Sequence, residues 1–130
     1  MGQIDYIFDM LDWNNSLEEQ ARGIELGKSV HNIKCFFQPC SEKYSKNIWD
    51  NCAKIVSLKD DATLSKHLID MLEWLQDMNW PGAQCILERL HSYSDVQSLF
   101  YSINICIRKA NEINDTIWLE NLERLLYEIN

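Results

Sequence analysis

Residues 72–83 read Leu-Glu-Trp-Leu-Gln-Asp-Met-Asn-Trp-Pro-Gly-Ala. They hold the end of one helix, a tight corner and the start of the next. Pro81 suits the first position of a helix, where its missing N–H costs nothing. The same ring keeps Trp80 out of the α region. Trp74 and Trp80, two of the five Trp, lie only six residues apart, with Asp77 and Asn79 between them. A chain that passes from helix to helix with so little loop builds its core by laying helices against one another, as an α-solenoid does.

The composition narrows the class further. Only four Gly and two Pro occur in 130 residues, too few for the many turns of an all-β fold. With 46% hydrophobic residues, a single domain spanning 1–130 is expected, burying roughly two-thirds of the surface of its unfolded chain.

Twenty acidic residues against twelve basic ones leave a net charge of −8. Nucleic-acid binding draws most of its non-specific affinity from cationic contacts to phosphate, and anionic membranes need the same. Neither partner is expected. A basic protein is favoured, because the acidic field steers it in. No run of ~18 apolar residues is present, so no transmembrane helix is expected. Asp5 and Asp9 stand where a signal peptide would be basic. Met1-Gly2 begins like a myristoylation site, but Tyr6 stands where Ser or Thr is required. Five Cys, an odd number scattered over helical segments, suit buried thiols in a reducing, cytoplasmic setting.

Along the chain, residues 4–11 form a first apolar-faced helix. Ser16 opens a second, completed by Glu19 as a Ser-x-x-Glu capping box, which runs to about residue 30. Gly23 and Gly27 on it allow a neighbouring helix to approach closely. Residues 31–38 read as a short helix ended by Pro39, and 39–46 as the longest polar connection. Helix four covers about 46–57. Asp60 or Asp61 caps helix five, about 62–76. Helix six runs from the corner to about 91. Ser94 starts helix seven through a capping box with Gln97, and that helix continues to about 111. Asp115 or Asn114 caps the last helix, which ends near 127.

An internal period accompanies these helices. Ile24, Ile55 and Ile86 are spaced by 31 residues; Ala21, Cys52 and Ala83 precede them by three, and Glu18, Trp49 and Trp80 by six. A repeat of ~30–45 residues built from two helices is the pattern of HEAT- and TPR-like arrays. The region around Trp118 falls outside the period and would serve as a cap. The expected fold is therefore all-α, a HEAT-like α–α superhelix of about seven or eight helices.

The Trp-Leu-Gln-Asp-Met-Asn-Trp-Pro core at residues 74–81 resembles the hallmark of a small bacterial domain family of unknown function, read as HEAT-like. Residues 11–15, Leu-Asp-Trp-Asn-Asn, and 47–53, Asn-Ile-Trp-Asp-Asn-Cys-Ala, match the same pattern. The resemblance spans roughly residues 9–127. It implies an α–α superhelix, brings no catalytic residues with it, and suggests an immunity or interaction protein.

The candidate binding site is an acidic-aromatic patch of Asp70, Trp74, Asp77, Asn79 and Trp80. On a helical wheel, Leu64, Leu68, Leu72 and Leu75 form one apolar stripe, and Trp74 flanks it with carboxylates at i−4 and i+3. A cationic partner would meet such a patch. The competing reading is that Trp74 and Trp80 fill the seam between helix pairs while Asp77 and Asn79 satisfy helix ends. A base-excision use of Trp74, Asp77 and Trp80 lacks the Lys and Arg that grip phosphate.

His31, Cys35 and Cys40 fall short of a zinc ligand set, which needs a fourth donor. Cys52, Cys85 and Cys106 read as small core residues. His67 beside Asp70 reads as a surface pair, not a nucleophile's base. The loop 38–46, with Glu42, Lys43, Tyr44 and Lys46, is either a plain connection or an exposed contact loop. No catalytic residue, metal or cofactor is expected. The function expected is that of a protein-interaction module, an immunity-type binder of a basic partner. The alternatives are a small enzyme acting in a concave groove and a structural subunit that homo-oligomerises through an apolar groove.

Overall fold

The computed structural model describes residues 3–38 and 44–130. Helix makes up 71% of the structure, and no strand occurs among the described residues. Eight α-helices follow in order among the described residues: α1 (Gln3–Met10), α2 (Leu17–Gly27), α3 (Trp49–Ser57), α4 (Asp61–Leu64), α5 (Leu68–Glu73), α6 (Ala83–His91), α7 (Val96–Glu112) and α8 (Thr116–Ile129). Single 3₁₀ turns at Ile33–Phe36, Lys46–Ile48 and Trp74–Gln76 punctuate them.

Short side chains just ahead of the apolar runs start four of these helices, because the first N–H groups of a helix have no partner within it. Ser16 Oγ accepts from the Glu19 N–H at 3.1 Å, Asp60 from Thr63 N–H at 2.8 Å, and Asp115 from Trp118 N–H at 3.0 Å. Asn114 sits before the last cap with φ 57°, a left-handed turn that asparagine tolerates. Helix α7 departs from the sequence reading. Its cap is Asp95, which accepts from Ser98 N–H at 3.1 Å. Ser94 faces backwards instead, donating its N–H (2.9 Å) and hydroxyl (2.5 Å) to Asp61 Oδ2.

Two further segments differ from expectation. The stretch 31–38 holds only the 3₁₀ turn Ile33–Phe36, opened by Asn32; Pro39 lies outside the described residues. The expected helix over 62–76 is broken. Ser65 Oγ donates to the Ala62 carbonyl at 2.8 Å, and the His67 N–H closes onto Leu64 at 2.8 Å. Local hydrogen bonding by a serine thus outcompetes continuation of the helix. Helix α5 starts afresh at Leu68, and the last turn tightens to 3₁₀ at Trp74.

The corner also differs in detail. Asp77 Oδ1 accepts from Asn79 N–H at 2.8 Å. Trp80 N–H then bonds Asp77 O at 3.0 Å, and Ala83 N–H bonds Trp80 O at 3.1 Å. Pro81 lies in this second turn, not in the first turn of α6. Gly82 precedes the helix with φ 88°, a conformation that glycine adopts freely.

Helices α2, α3 and α6 pack in that order, with α1 on α2 and the α7–α8 pair joined to α5. The close approaches rest on glycines. A Cβ on Gly23 would lie 2.7 Å from Met10 Cβ, one on Gly27 would collide with Ile55 Cδ1, and one on Gly82 would lie 2.7 Å from Ala53 Cβ. Ile24, Ile55 and Ile86 therefore sit on three adjacent helices, and Ile55 and Ile86 are fully buried. The tract α5 with its 3₁₀ extension is central: α7 contacts α5, while α6 and α8 contact the extension. Trp118 Nε1–H from α8 donates to Leu72 O at 3.1 Å, and Asn121 Nδ2–H to Leu75 O at 2.7 Å. These bonds take up carbonyls where the helix tightens.

Two polar nodes hold elements that are distant in sequence. Asn51, only 2% exposed, donates to Leu11 O at 2.8 Å and to Gln20 Oε1 at 2.9 Å. Nearby, Asn47 Nδ2–H donates to Asp12 Oδ2 at 2.8 Å, and Trp13 N–H to Asn47 O at 3.0 Å. The motifs at 11–15 and 47–53 thus bind each other. The second node is Arg89, whose guanidinium donates to Ser57 O (3.1 Å), Lys59 O (2.9 Å) and Asp61 Oδ1 (2.6 Å). It closes the C-terminal end of α3 onto α4 and α6. Among the described residues no helix is long and apolar enough to cross a membrane.

Candidate functional site

The corner at residues 77–82 and the tract before it gather the aromatic side chains into a ladder. His67 stacks on Phe37, with ring centroids 5.3 Å apart and planes at 23°. Phe37 meets Trp74 at 6.3 Å and 67°, Trp74 meets Trp49 at 6.1 Å and 76°, and Trp49 meets Trp80 at 5.5 Å and 89°. Edge-to-face contacts of this kind direct a positive ring edge at a negative ring face. The Lys46 ammonium stands 5.9 Å from the ring centroids of both Trp49 and Trp80.

The five residues of the expected patch do not form one surface. Trp74 has no exposed area, and its indole N–H donates to Pro81 O at 2.9 Å. The helical wheel placed it on a flank because one apolar stripe was assumed. A helix surrounded by neighbours is buried on more than one face, and here Phe37, Trp49 and Gly82 cover the side that the wheel leaves open. Asp70 is matched by Lys34, whose Nζ lies 2.9 and 3.0 Å from its two carboxylate oxygens. Asp77 is occupied by the turn that it caps. Of the five, Asn79 is exposed and Trp80 half-buried.

Lys46 and Trp49 belong to this cluster although neither stood among the patch residues. The signal lay in the 31-residue spacing, which set Trp49 and Trp80 in one column. Phe37 gave no such signal, since its partners His67 and Trp74 come from another part of the chain.

The remaining candidates fall as follows. His67 Nδ1 is 3.5 Å from Asp70 Oδ2 without the alignment of a hydrogen bond, and both side chains are half-buried. Among the described residues no three His, Cys, Asp or Glu side chains come together as metal ligands. His31 is exposed, Cys35 Sγ is 3.5 Å from Asn32 O, and Cys40 lies outside the described residues. Cys52 and Cys106 are fully buried. Burial pushes the Cys106 thiol up to about 11, and it raises that of Cys52 further, so both are held as neutral thiols. Cys85 is half-buried, with Sγ 3.2 Å from Ser57 Oγ. Within the loop 38–46, Glu42 and Lys43 lie outside the described residues. Tyr44 is not an exposed contact: it is 8% exposed, and its hydroxyl lies 2.8 Å from Asp9 Oδ1 and 2.9 Å from Asp5 O.

Elsewhere, helix α7 carries a groove of ≈ 540 Å³ along Val96, Gln97, Phe100, Tyr101 and Asn104, lined also by Asn130. Its apolar members are open to solvent: Val96 is 44%, Phe100 40% and Tyr101 68% exposed. The sequence reading did not single them out, because Val and Phe at helical spacing read as core.

No curated protein and no solved structure matches the chain. The family described as a domain of unknown function (DUF5071) matches residues 45–128, a span that includes Lys46, Trp49, the corner and the α7 residues of the groove. Because that match takes in well over half of its length, the chain belongs to the DUF5071 family.

Proposed function

We propose that this chain is a bacterial, cytoplasmic protein-binding module with a HEAT-like superhelical build, and that its partner is a basic protein. The superhelical reading is supported by the packing of α2, α3 and α6 in sequence order, each bearing one isoleucine of the 31-residue column. An immunity-type role, neutralising a basic protein by covering it, is the specific form of this reading.

The observation that carries the binding function is the α7 groove. Val96, Phe100 and Tyr101 leave an aromatic, apolar strip open on a helix whose opposite face is packed. Exposed contiguous apolar surface of this kind marks interaction sites, and aromatic side chains dominate the energetics of interfaces. The charge of −8 selects the sign of the partner: it accelerates the approach of a basic protein and repels a second copy of the chain. A homo-oligomeric subunit is the weaker reading for that reason.

The test is affinity capture of partners from the native host with the wild-type chain and with Phe100→Ser/Tyr101→Ser, identified by mass spectrometry. Recovery of a basic protein by the wild type and its loss with the double variant, at unchanged helical circular dichroism, is the expected result. Equal recovery by both chains would remove the groove from the argument. Sedimentation showing a stable dimer at physiological salt would favour the homo-oligomer.

A further inference from the structure

We propose that Trp49 and Trp80 form a receptor for an alkylammonium group, and that Lys46 is its internal occupant. The two indoles meet at 89° with centroids 5.5 Å apart, so together they make a right-angled aromatic corner. The Lys46 ammonium lies 5.9 Å from both centroids. A cation within about 6 Å of a ring face is attracted by the ring's quadrupole, most strongly for tryptophan, and paired aromatic walls are how proteins hold methylated ammonium groups. The chemistry of the ligand is therefore displayed by the chain's own lysine.

The rest of the geometry suits exchange of that occupant. Trp49 is only 6% exposed and meets Trp74 edge-to-face at 6.1 Å, so one wall is fixed. Trp80 is half-buried on the turn that Asp77 caps, so the other wall borders solvent. Lys46 is exposed and stands in a single 3₁₀ turn, reaching the corner on a flexible stem. An incoming ammonium of lower hydration than a primary amine, such as a trimethylated one, loses less on leaving water and can take its place. The net charge of −8 raises the local concentration of cations. The inference does not depend on the α7 groove: it concerns a different element and a ligand that can be a free ion or a side chain.

Two probes separate these sources, tetramethylammonium chloride and N-acetyl-trimethyl-lysine amide. A third, the neutral tert-butyl analogue of the second, carries the same shape without the charge. Binding is read from the indole N–H resonances of Trp49 and Trp80 in ¹⁵N spectra at constant ionic strength. The expected result is saturable shifts with both cationic probes and none with the neutral one. Lys46→Ala, a surface change, should tighten binding by on the order of fivefold, since it removes one competing ammonium. Trp80→Leu should abolish it while circular dichroism stays helical. Saturation by tetramethylammonium alone would assign the corner to small free cations, and tighter binding of the lysine derivative to a protein side chain; both uphold the receptor. Absence of saturable shifts in Lys46→Ala, or equal shifts with the neutral analogue, would overturn it.

Discussion

Replacement of Trp74 by alanine is the sharpest test of how the chain is held together. The side chain is wholly buried between Phe37, Trp49 and Gly82. Burying a tryptophan removes about 150–250 Å² from water, and truncating a large buried aromatic costs about 3–5 kcal/mol once the cavity is counted. The change also strips the Pro81 carbonyl of its 2.9 Å donor, at a cost of roughly 1 kcal/mol, since this bond is only partly buried and water can reach it. The sum, about 4–6 kcal/mol, compares with a total stability of about 5–15 kcal/mol for a domain. With a urea slope near 2 kcal/mol per molar, the midpoint should fall by about 2–3 M. Trp74→Phe, which keeps a ring but loses the donor, should fall by about half as much. Trp80→Ala should lose less than Trp74→Ala, because Trp80 is half-buried. Urea melts followed by circular dichroism measure all three. A loss below ~1 kcal/mol for Trp74→Ala, the range of ordinary surface changes, would refute the claim that this indole is the centre of the core.

Three other outcomes are expected. Gly82→Ala should destabilise by about 2–5 kcal/mol, since a side chain at φ 88° is strained and its Cβ would press on Ala53 and the Trp49 carbonyl; an unchanged melting temperature would contradict the close approach. The Ser94 hydroxyl, then Arg89, hold the Asp61 carboxyl at about 2, below its value in an unfolded chain near 3.9, so its contribution to stability is complete above about pH 4 and lost as pH falls toward 2. Asp61→Asn should flatten the acid limb of stability in that window, and an acid limb identical to wild type would show that this carboxyl does not shape it. In a Cys40→Ser background, a thiol reagent at pH 8 should modify the half-buried Cys35 and Cys85 before Cys52 and Cys106, which should react only on unfolding; rapid native labelling of Cys52, mapped by mass spectrometry, would be inconsistent with its burial.

What could be read directly from residues was what residues decide locally. The caps at Ser16, Asp60 and Asp115 act on N–H groups three positions ahead, so a few adjacent letters suffice to place them. Apolar periodicity and the scarcity of glycine and proline were enough for an all-helical chain. The same short range explains the near misses: Asp95, not Ser94, caps α7, because Asp61, 33 residues earlier, captures Ser94. Tertiary structure alone decided which aromatic is buried. Trp74 and Trp80 belong to one motif, yet only Trp74 is enclosed, because Phe37 and Trp49 arrive from other elements to cover it. The aromatic corner that holds Lys46 is likewise made by a helix start and a turn whose tryptophans are 31 residues apart in sequence. Local hydrogen bonds are fixed by neighbours along the chain, whereas burial is fixed by neighbours in space. The first is written residue by residue, and the second exists only once the helices have packed.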